Sequence, residues 1–363
     1  MQLKDSYITF RDYIEKCFST SISNRKVLQI TIREEQATFH PRPQHYTIYI
    51  SPFGTGKTGS FLKVIKDLLK NDALLPDRFT TPSLLGTIGK DRNFVKGILF
   101  DAGGKVILID EWNEIPYDVQ TSLLSVMETQ YVERTLGFSS LKPYVSDKKN
   151  RFSSLRVEEN RIYGKCQFTI IAFAMYFTLT TKKMYALFSR FSPIFHNPSE
   201  EEVNDMLRGE NSFVFVDVSK LIENVVVEND VWGSFIERAY AYLKQKNIYP
   251  KGDEQGFYTR ACSDALRFAV NSSLKELRED EKPKELSIDL QNLLNQLPFL
   301  EYQLAMYQHP KTQFQEFCYL KEKFPDENAE FYARALKTSE NMVWKLEYLY
   351  KKRSLPSLPE KTM

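Results

Sequence analysis

Cysteine and histidine are scarce in this chain, with four of each among 363 residues. Cys17, Cys166, Cys262 and Cys318 stand far apart, and no histidine lies at metal-ligand spacing from any of them. That distribution fits neither a disulfide framework nor a zinc site. No apolar run reaches the roughly 20 residues that cross a bilayer. Met1-Gln-Leu-Lys-Asp-Ser6 has no basic region followed by an apolar stretch, so no secretory signal is expected. Internal repeats and low-complexity tracts are also missing. Charge of one sign is nearly balanced, at a net +2, so any attraction to phosphate must come from local clusters of cations. The expectation is a reduced, intracellular protein (cytoplasmic, or nucleoid-associated in a prokaryote) with no structural metal and no membrane segment.

What is present is an ordinary globular composition, 42% hydrophobic and 26% charged, in a chain long enough for two or three packed units. Residues 8–20 read as an amphipathic helix and Val27–Ile32 as a strand. Tyr46-Thr-Ile-Tyr-Ile50 is a β-rich run ending at a glycine-rich turn, and Lys57–Lys70 has helical apolar spacing. Gly104–Ile109 and Phe168–Phe177 read as buried parallel strands, with a helix from Tyr117 to Glu128 between them. Alternation of this kind predicts an α/β fold with a parallel sheet. From Ser199 onward the pattern turns helical, over Glu200–Arg208, Val231–Gln245 and Thr259–Arg278. The charged run Lys275–Lys284 contains Pro283 and marks an expected boundary. The units expected are a short N-terminal segment (1–44), an α/β core (45–198), a helical lid (199–283) and a C-terminal helical domain (284–363).

Two motifs carry chemistry. Ser51-Pro52-Phe53-Gly54-Thr55-Gly56-Lys57-Thr58 lies between a strand and a helix, the setting of a phosphate-binding loop. Gly54 and Gly56 let backbone N–H groups close on a phosphate, Lys57 reaches the outer phosphates, and the Thr58 hydroxyl is placed for Mg²⁺. Ser51 stands where such loops usually begin with glycine, so it must take the turn with a side chain present. About 50 residues on, Ile107-Leu-Ile-Asp-Glu111 ends a strand in two acids. Asp110 can hold Mg²⁺ through water, and Glu111 can act as general base on the attacking water. ATP and Mg²⁺ are the expected ligands.

Together these stretches resemble the ATPase domain of the minichromosome maintenance (MCM) helicases and their AAA+ relatives. Leu99-Phe-Asp-Ala-Gly-Gly-Lys-Val-Ile-Leu-Ile-Asp-Glu111 is similar to the family's approach to its acids. Val126–Gly137 resembles the family's helix-inserted hairpin, Ala186-Leu-Phe-Ser-Arg-Phe191 its arginine-finger stretch, and Tyr258–Phe268 its lid helix with a second sensor arginine. The resemblance implies a ring, six-membered in the family, with ATP at subunit boundaries. Arg190 would reach the γ-phosphate held by a neighbouring subunit, and Arg260 would sense it from the lid. The family's third strand ends in a polar sensor, usually asparagine. Here the strand runs on through Tyr176 and Phe177 to Thr178 and Thr180. Only about 45 residues precede the phosphate strand, so the family's N-terminal DNA-binding ring with its zinc site is not expected.

Nucleic acid has two candidate contacts. Leu141–Lys165 interleaves cations, among them Lys148, Lys149 and Arg151, with Tyr144, Phe152 and Tyr163, a pattern suited to single strands and equally to a solvated loop. Near the C-terminus, Asn328–Leu336, a turn at Lys337-Thr-Ser339 and Glu340–Lys352 resemble a winged helix-turn-helix. Lys345, Lys351, Lys352 and Arg353 could meet duplex phosphates, with Phe331, Ala335, Leu336 and Trp344 expected in the core. The function expected first is a DNA-dependent AAA+ motor, a helicase or replication initiator. The alternatives are a protein-remodelling AAA+ chaperone and a DNA-binding regulator whose assembly ATP controls.

Overall fold

The chain enters helix α1 (Phe10–Ser23) through a capping box: Thr9 Oγ1 accepts from the Asp12 amide, and the Asp12 carboxylate accepts from the Thr9 amide. In the computed structural model the described residues are 8–33, 38–52, 55, 57–91, 93–136, 144–145, 150–158, 160–175, 186–196, 198, 200–208, 213–218, 220–248, 255–278, 281, 283–308, 313–336 and 338–354. Three short strands follow α1: β1 (Ile30–Arg33), β2 (Thr38–Phe39) and β3 (Thr47–Ile50). The loop after β3 feeds a π-wound turn over Thr58–Leu62 and then α2 (Lys63–Leu69). Next come β4 (Ala73–Leu74), α3 (Thr81–Leu85), the hairpin β5 (Gly86–Ile88) and β6 (Phe94–Lys96), and β7 (Val106–Ile109). Helix α4 (Tyr117–Thr129) stops at Gln130, whose φ of 53° turns the chain into β8 (Tyr131–Thr135). Strands β9 (Tyr144–Val145), β10 (Arg156–Glu158) and β11 (Arg161–Lys165) complete an antiparallel sheet in the order β8-β11-β10-β9.

The central sheet is closed by β12 (Thr169–Ala174) and β13 (Ser192–Phe195), in the order β13-β3-β12-β7-β4. Every pairing in it is parallel. Strands β3, β7, β12 and β13 are buried at every position. Continuous apolar runs rather than alternation are what a sheet covered on both faces requires. Helix α1 packs on β3 and β12, where the Phe18 ring lies 5.7 Å from Phe61 and 6.1 Å from Phe173. The α/β architecture with a parallel sheet is therefore present as expected.

The remaining elements are α5 (Glu200–Arg208), β14 (Asn224–Glu228), α6 (Asn229–Gln245), α7 (Gln255–Glu276) and β15 (Glu285–Ser287). After them come α8 (Leu290–Leu294), α9 (Leu297–Gln308), α10 (Gln313–Lys323), α11 (Ala329–Ala335) and α12 (Glu340–Ser354). A second sheet, ordered β15-β14-β1-β2, joins distant segments. Two expected boundaries fall with it. Residues 1–44 are not a separate segment, because Tyr13, Cys17, Phe18 and Ile22 belong to the main core and β1 pairs with β14. Residues 284–308 likewise belong to the main core. Strand β15 pairs with β14, and Leu297, Leu300, Leu304 and Tyr307 on α9 are at most 1% exposed. A distinct small core begins only with α10–α12, built on Phe317, Tyr332, Leu336, Val343 and Leu346.

Candidate phosphate site

Strand β3 ends at Ile50, level with Ala174 of β12, while β7 ends at Ile109, level with Ala172. All three strands therefore release their following residues on one side of the sheet. From β3 the chain crosses to β4 at one edge, returns through β7 and β12, and then passes to β13 on the other flank. Such a reversal of strand order opens a crevice at the carboxyl ends of the strands, where open α/β sheets bind ligands.

Ser51 begins the loop at that crevice. Its amide donates to Ala174 O at 3.2 Å, and its hydroxyl lies 2.7 Å from Thr55 Oγ1, which donates to Pro52 O at 3.0 Å. Ser51, Pro52 and Thr55 are all buried. Among the described residues the non-glycine positions with positive φ are Lys70, Gln130 and Asn247. Ser51 thus occupies the usual glycine position without entering the left-handed region, and its hydroxyl braces the loop. Phe53, Gly54, Gly56 and the Thr58 side chain lie outside the described residues.

Lys57 Nζ donates to Ser51 O (3.0 Å), Pro52 O (3.3 Å) and Ala174 O (3.2 Å). Burial pulls its pKa down to about 8, against the opposing attraction of Asp110 and Glu111. The lysine and both acids therefore share one electrostatic environment. Asp110 is half-buried and Glu111 is exposed. With β12 lying between β3 and β7, the loop and the acids are two strand spacings apart, about 10 Å. That gap accommodates phosphate groups, a hydrated cation and a water molecule. Neutral carbonyls are modest partners for an ammonium, and a phosphate oxygen would make a stronger, charge-assisted bond in their place.

One residue near this crevice escaped the sequence reading. Asn113 Oδ1 accepts from the Met175 amide at 2.8 Å, tying the end of β12 to the turn that carries Glu111. A single asparagine in Glu111-Trp-Asn-Glu114 has no pattern to distinguish it. Thr178 and Thr180, the sequence candidates for a polar sensor, lie outside the described residues. The paired glycines before β7 also gain a reason: Gly104 has φ +73°, and a Cβ there would meet the buried Phe152 ring at 2.7 Å.

The two arginines sit elsewhere. Ser192 pairs with Thr47, so Arg190 lies at the amino end of the sheet, level with His45 and about 20 Å from Ser51 along the strand direction. Its guanidinium donates to Leu124 O (3.0 Å), Ala186 O (2.9 Å) and Ser189 Oγ (2.8 Å), with Glu128 at 3.6 Å. Arg260 stands beside Arg190, away from the phosphate loop of its own chain. It is 8% exposed, donates to Arg190 O at 2.6 Å and pairs with Asp264 at 3.1 Å. Asp264 is fully buried and also takes Arg267 (2.6 Å), Ser192 Oγ (2.5 Å) and Gln303. A buried carboxylate demands such partners, and Arg260 is one of them.

The nucleic-acid candidates divide in the same way. Lys148 and Lys149 lie outside the described residues. Arg151 is engaged by Glu223 at 2.8 Å. Tyr144 packs 5.5 Å from Phe100 and 5.8 Å from Phe94, and Phe152 is buried, so these rings serve packing rather than base stacking. On α12, Lys345 and Lys351 are exposed, with Lys351 3.6 Å from Glu347, and the Lys352 side chain lies outside the described residues. Trp344, expected in the core, is 59% exposed, and Tyr348 one turn on is 67% exposed. The two expected helices are present as α11 and α12, but among the described residues of 313–354 there is no strand to form a wing.

Comparison of the chain with protein-family models finds no matching family, and comparison with curated proteins finds no match. Among the described residues no helix is long and apolar enough to cross a membrane.

Proposed function

We propose that this chain is an AAA+ ATPase of the MCM-like kind, hydrolysing ATP as a DNA-dependent ring motor. The observation that carries the reading is the placement of Lys57, Asp110 and Glu111 after neighbouring strand ends at the carboxyl edge of an all-parallel sheet. Lys57 would hold the outer phosphates, and Glu111, exposed at the crevice, would take the proton of the attacking water. Bound Mg²⁺ would neutralise phosphate charge, with Asp110 and the Thr58 hydroxyl as its protein partners. Among the described residues no three His, Cys, Asp or Glu side chains cluster as a metal cage. A nucleotide-borne Mg²⁺ needs only one or two carboxylates beside phosphate and water oxygens, so these residues fit it.

Arg190 lies far from its own loop, which supports a role toward a neighbouring subunit's nucleotide and hence a ring. For DNA the support lies on α12, where exposed Trp344, Tyr348, Lys345 and Lys351 offer rings and cations together. The test is ATP turnover and nucleotide binding, with and without single- and double-stranded DNA. Lys57→Ala should lose ATP binding, while Glu111→Gln should bind ATP and lose turnover by at least about 100-fold. Arg190→Ala should bind ATP without turning over, and mixing it with Lys57→Ala should restore part of the activity. Turnover at the parent rate in Glu111→Gln would overturn the assignment of Glu111 as the base, and no ATP turnover by the parent chain would overturn the ATPase reading. A normal ATPase with no response to DNA would favour protein remodelling instead.

A further inference from the structure

The peptide group joining Ala174 to Met175 stands between the lysine and the acids of the crevice. Its carbonyl accepts from the Ser51 amide and from Lys57 Nζ, each at 3.2 Å, and its N–H donates to Asn113 Oδ1 at 2.8 Å. A trans peptide is planar, with C=O and N–H directed to opposite sides, and no described residue follows a cis bond. One rigid group therefore holds the phosphate loop on its β3 side and the turn carrying Glu111 on its β7 side. Hydrogen bonds made through one peptide also polarise each other, so each strengthens the other.

The main-chain ladder does not perform this task for Glu111. The pairing of β7 with β12 ends at Ile109 and Ala172, before either Glu111 or Met175 is reached. Glu111 itself, at φ −130° and ψ 82°, has left the strand. Beyond it, Trp112–Glu114 form a single 3₁₀ turn, in which the Glu114 amide donates to Glu111 O at 3.1 Å. That turn is held from three directions. Trp112 is fully buried with the Phe191 ring 5.1 Å away. Gln120 of α4 donates to Trp112 O (3.2 Å) and Ile115 O (2.8 Å). Asn113 is the third, and of the three it is the one that ties the turn to the strand end also gripped by Lys57.

We infer that Asn113 is a positioning residue for hydrolysis: through Oδ1 and the Ala174–Met175 peptide it sets where Glu111 stands relative to phosphates held by Lys57. The inference rests on the ATPase reading given above. Oδ1 is the working atom, because the Met175 N–H requires an acceptor. Misplacing a reacting group by about 1 Å can cost on the order of 100-fold in rate. Nucleotide binding belongs to the loop on the other side of the peptide, so the loss falls on turnover.

The experiment measures ATP turnover, ATP affinity and amide hydrogen exchange in the full chain and three variants. Asn113→Leu removes the acceptor, and kcat should fall about 10–100-fold with ATP affinity within about twofold of the parent. The Met175 amide should then exchange at least about tenfold faster. Asn113→Asp keeps an acceptor oxygen at the same reach, and should recover both kcat and amide protection to within about threefold of the parent. Asn113→Gln keeps the amide but lengthens its reach by one methylene, so kcat should fall as in Asn113→Leu. It makes the same test should Asn113→Leu not fold. The inference is overturned if Asn113→Leu or Asn113→Gln turns over at the parent rate, or if Met175 exchange is unchanged in Asn113→Leu. It is also overturned if ATP affinity falls in step with kcat, the mark of general damage to the site. An Asn113→Asp chain as slow as Asn113→Leu would make the amide nitrogen the working group and equally overturn it. A parent chain without ATP turnover defeats the ATPase reading and this inference together, whereas an active parent with equally active variants defeats the inference alone.

Discussion

His45 is wholly buried just before β3, with Nε2 2.9 Å from Ser192 Oγ, Nδ1 2.9 Å from Ser21 Oγ, and Asp264 3.9 Å away. Burial, reinforced by Arg260 and Arg267, outweighs the attraction of Asp264 and lowers its pKa from 6.5 to about 3. The unfolded chain therefore takes up this proton first as pH falls, so the stability contributed by neutral His45 is present above pH 6.5 and lost toward pH 3. At pH 5 the unfolded histidine has gained about 1.5 pH units of protonation free energy, or about 2 kcal/mol at 1.36 kcal/mol per unit. At pH 7 the same quantity is about 0.2 kcal/mol. Asp264, whose pKa its cationic partners hold well below the usual carboxylate range, adds its own acid sensitivity only below about pH 4. Replacing His45 with glutamine removes the titration and keeps a side chain that can hydrogen-bond Ser192. Urea unfolding at pH 7, 6 and 5 should show the parent losing about 2 kcal/mol more than His45→Gln between pH 7 and pH 5. Equal losses in the two chains would show that His45 does not stay neutral in the fold, and the account of this buried network would fail.

Two further outcomes follow from the packing. Ending the chain after Gln308 should leave a cooperatively folding body, whereas ending it after Pro283 should prevent folding. The shorter chain loses β15 and the buried Leu297, Leu300, Leu304 and Tyr307. At roughly 1.5–3 kcal/mol per buried side chain that loss rivals a whole domain's stability of about 5–15 kcal/mol, and circular dichroism with urea titration distinguishes the cases. Replacing both Trp344 and Tyr348 with alanine should weaken DNA binding about tenfold or more at about 1–3 kcal/mol per stacked ring, without changing the melting temperature. Unchanged affinity would remove α12 as the contact.

The phosphate loop and the acids were legible because each is a contiguous run between elements of clear period. The buried strands around them were legible because a sheet covered on both faces leaves no polar alternation. Asn113 was not, since one amide carries no periodicity. The true extent of the main core was not either: the charged run 275–284 looks like a linker, yet Lys284 O accepts the amides of Glu223 and Asn224 and leads straight into β15. Trp344 was misassigned to the core: Val343 and Leu346 take the buried face of α12, and Trp344, beside Val343, falls outside it.

By itself the sequence determined the three buried strands around the loop and the acids, the α/β class, and the residue types available at Lys57, Asp110 and Glu111, all properties of local pattern; the strands at 224–228 and 285–287, in a stretch read as helical, were not among them. The tertiary structure alone decided strand order, and so which ends meet: it set β12 between loop and acids, and sent Arg190 to the opposite end of the sheet. It also turned Arg260 into a partner of Asp264 and set Asn113 against the end of β12. Which distant side chains become neighbours depends on how strands pair across the chain, and a buried charge takes the partner that pairing supplies.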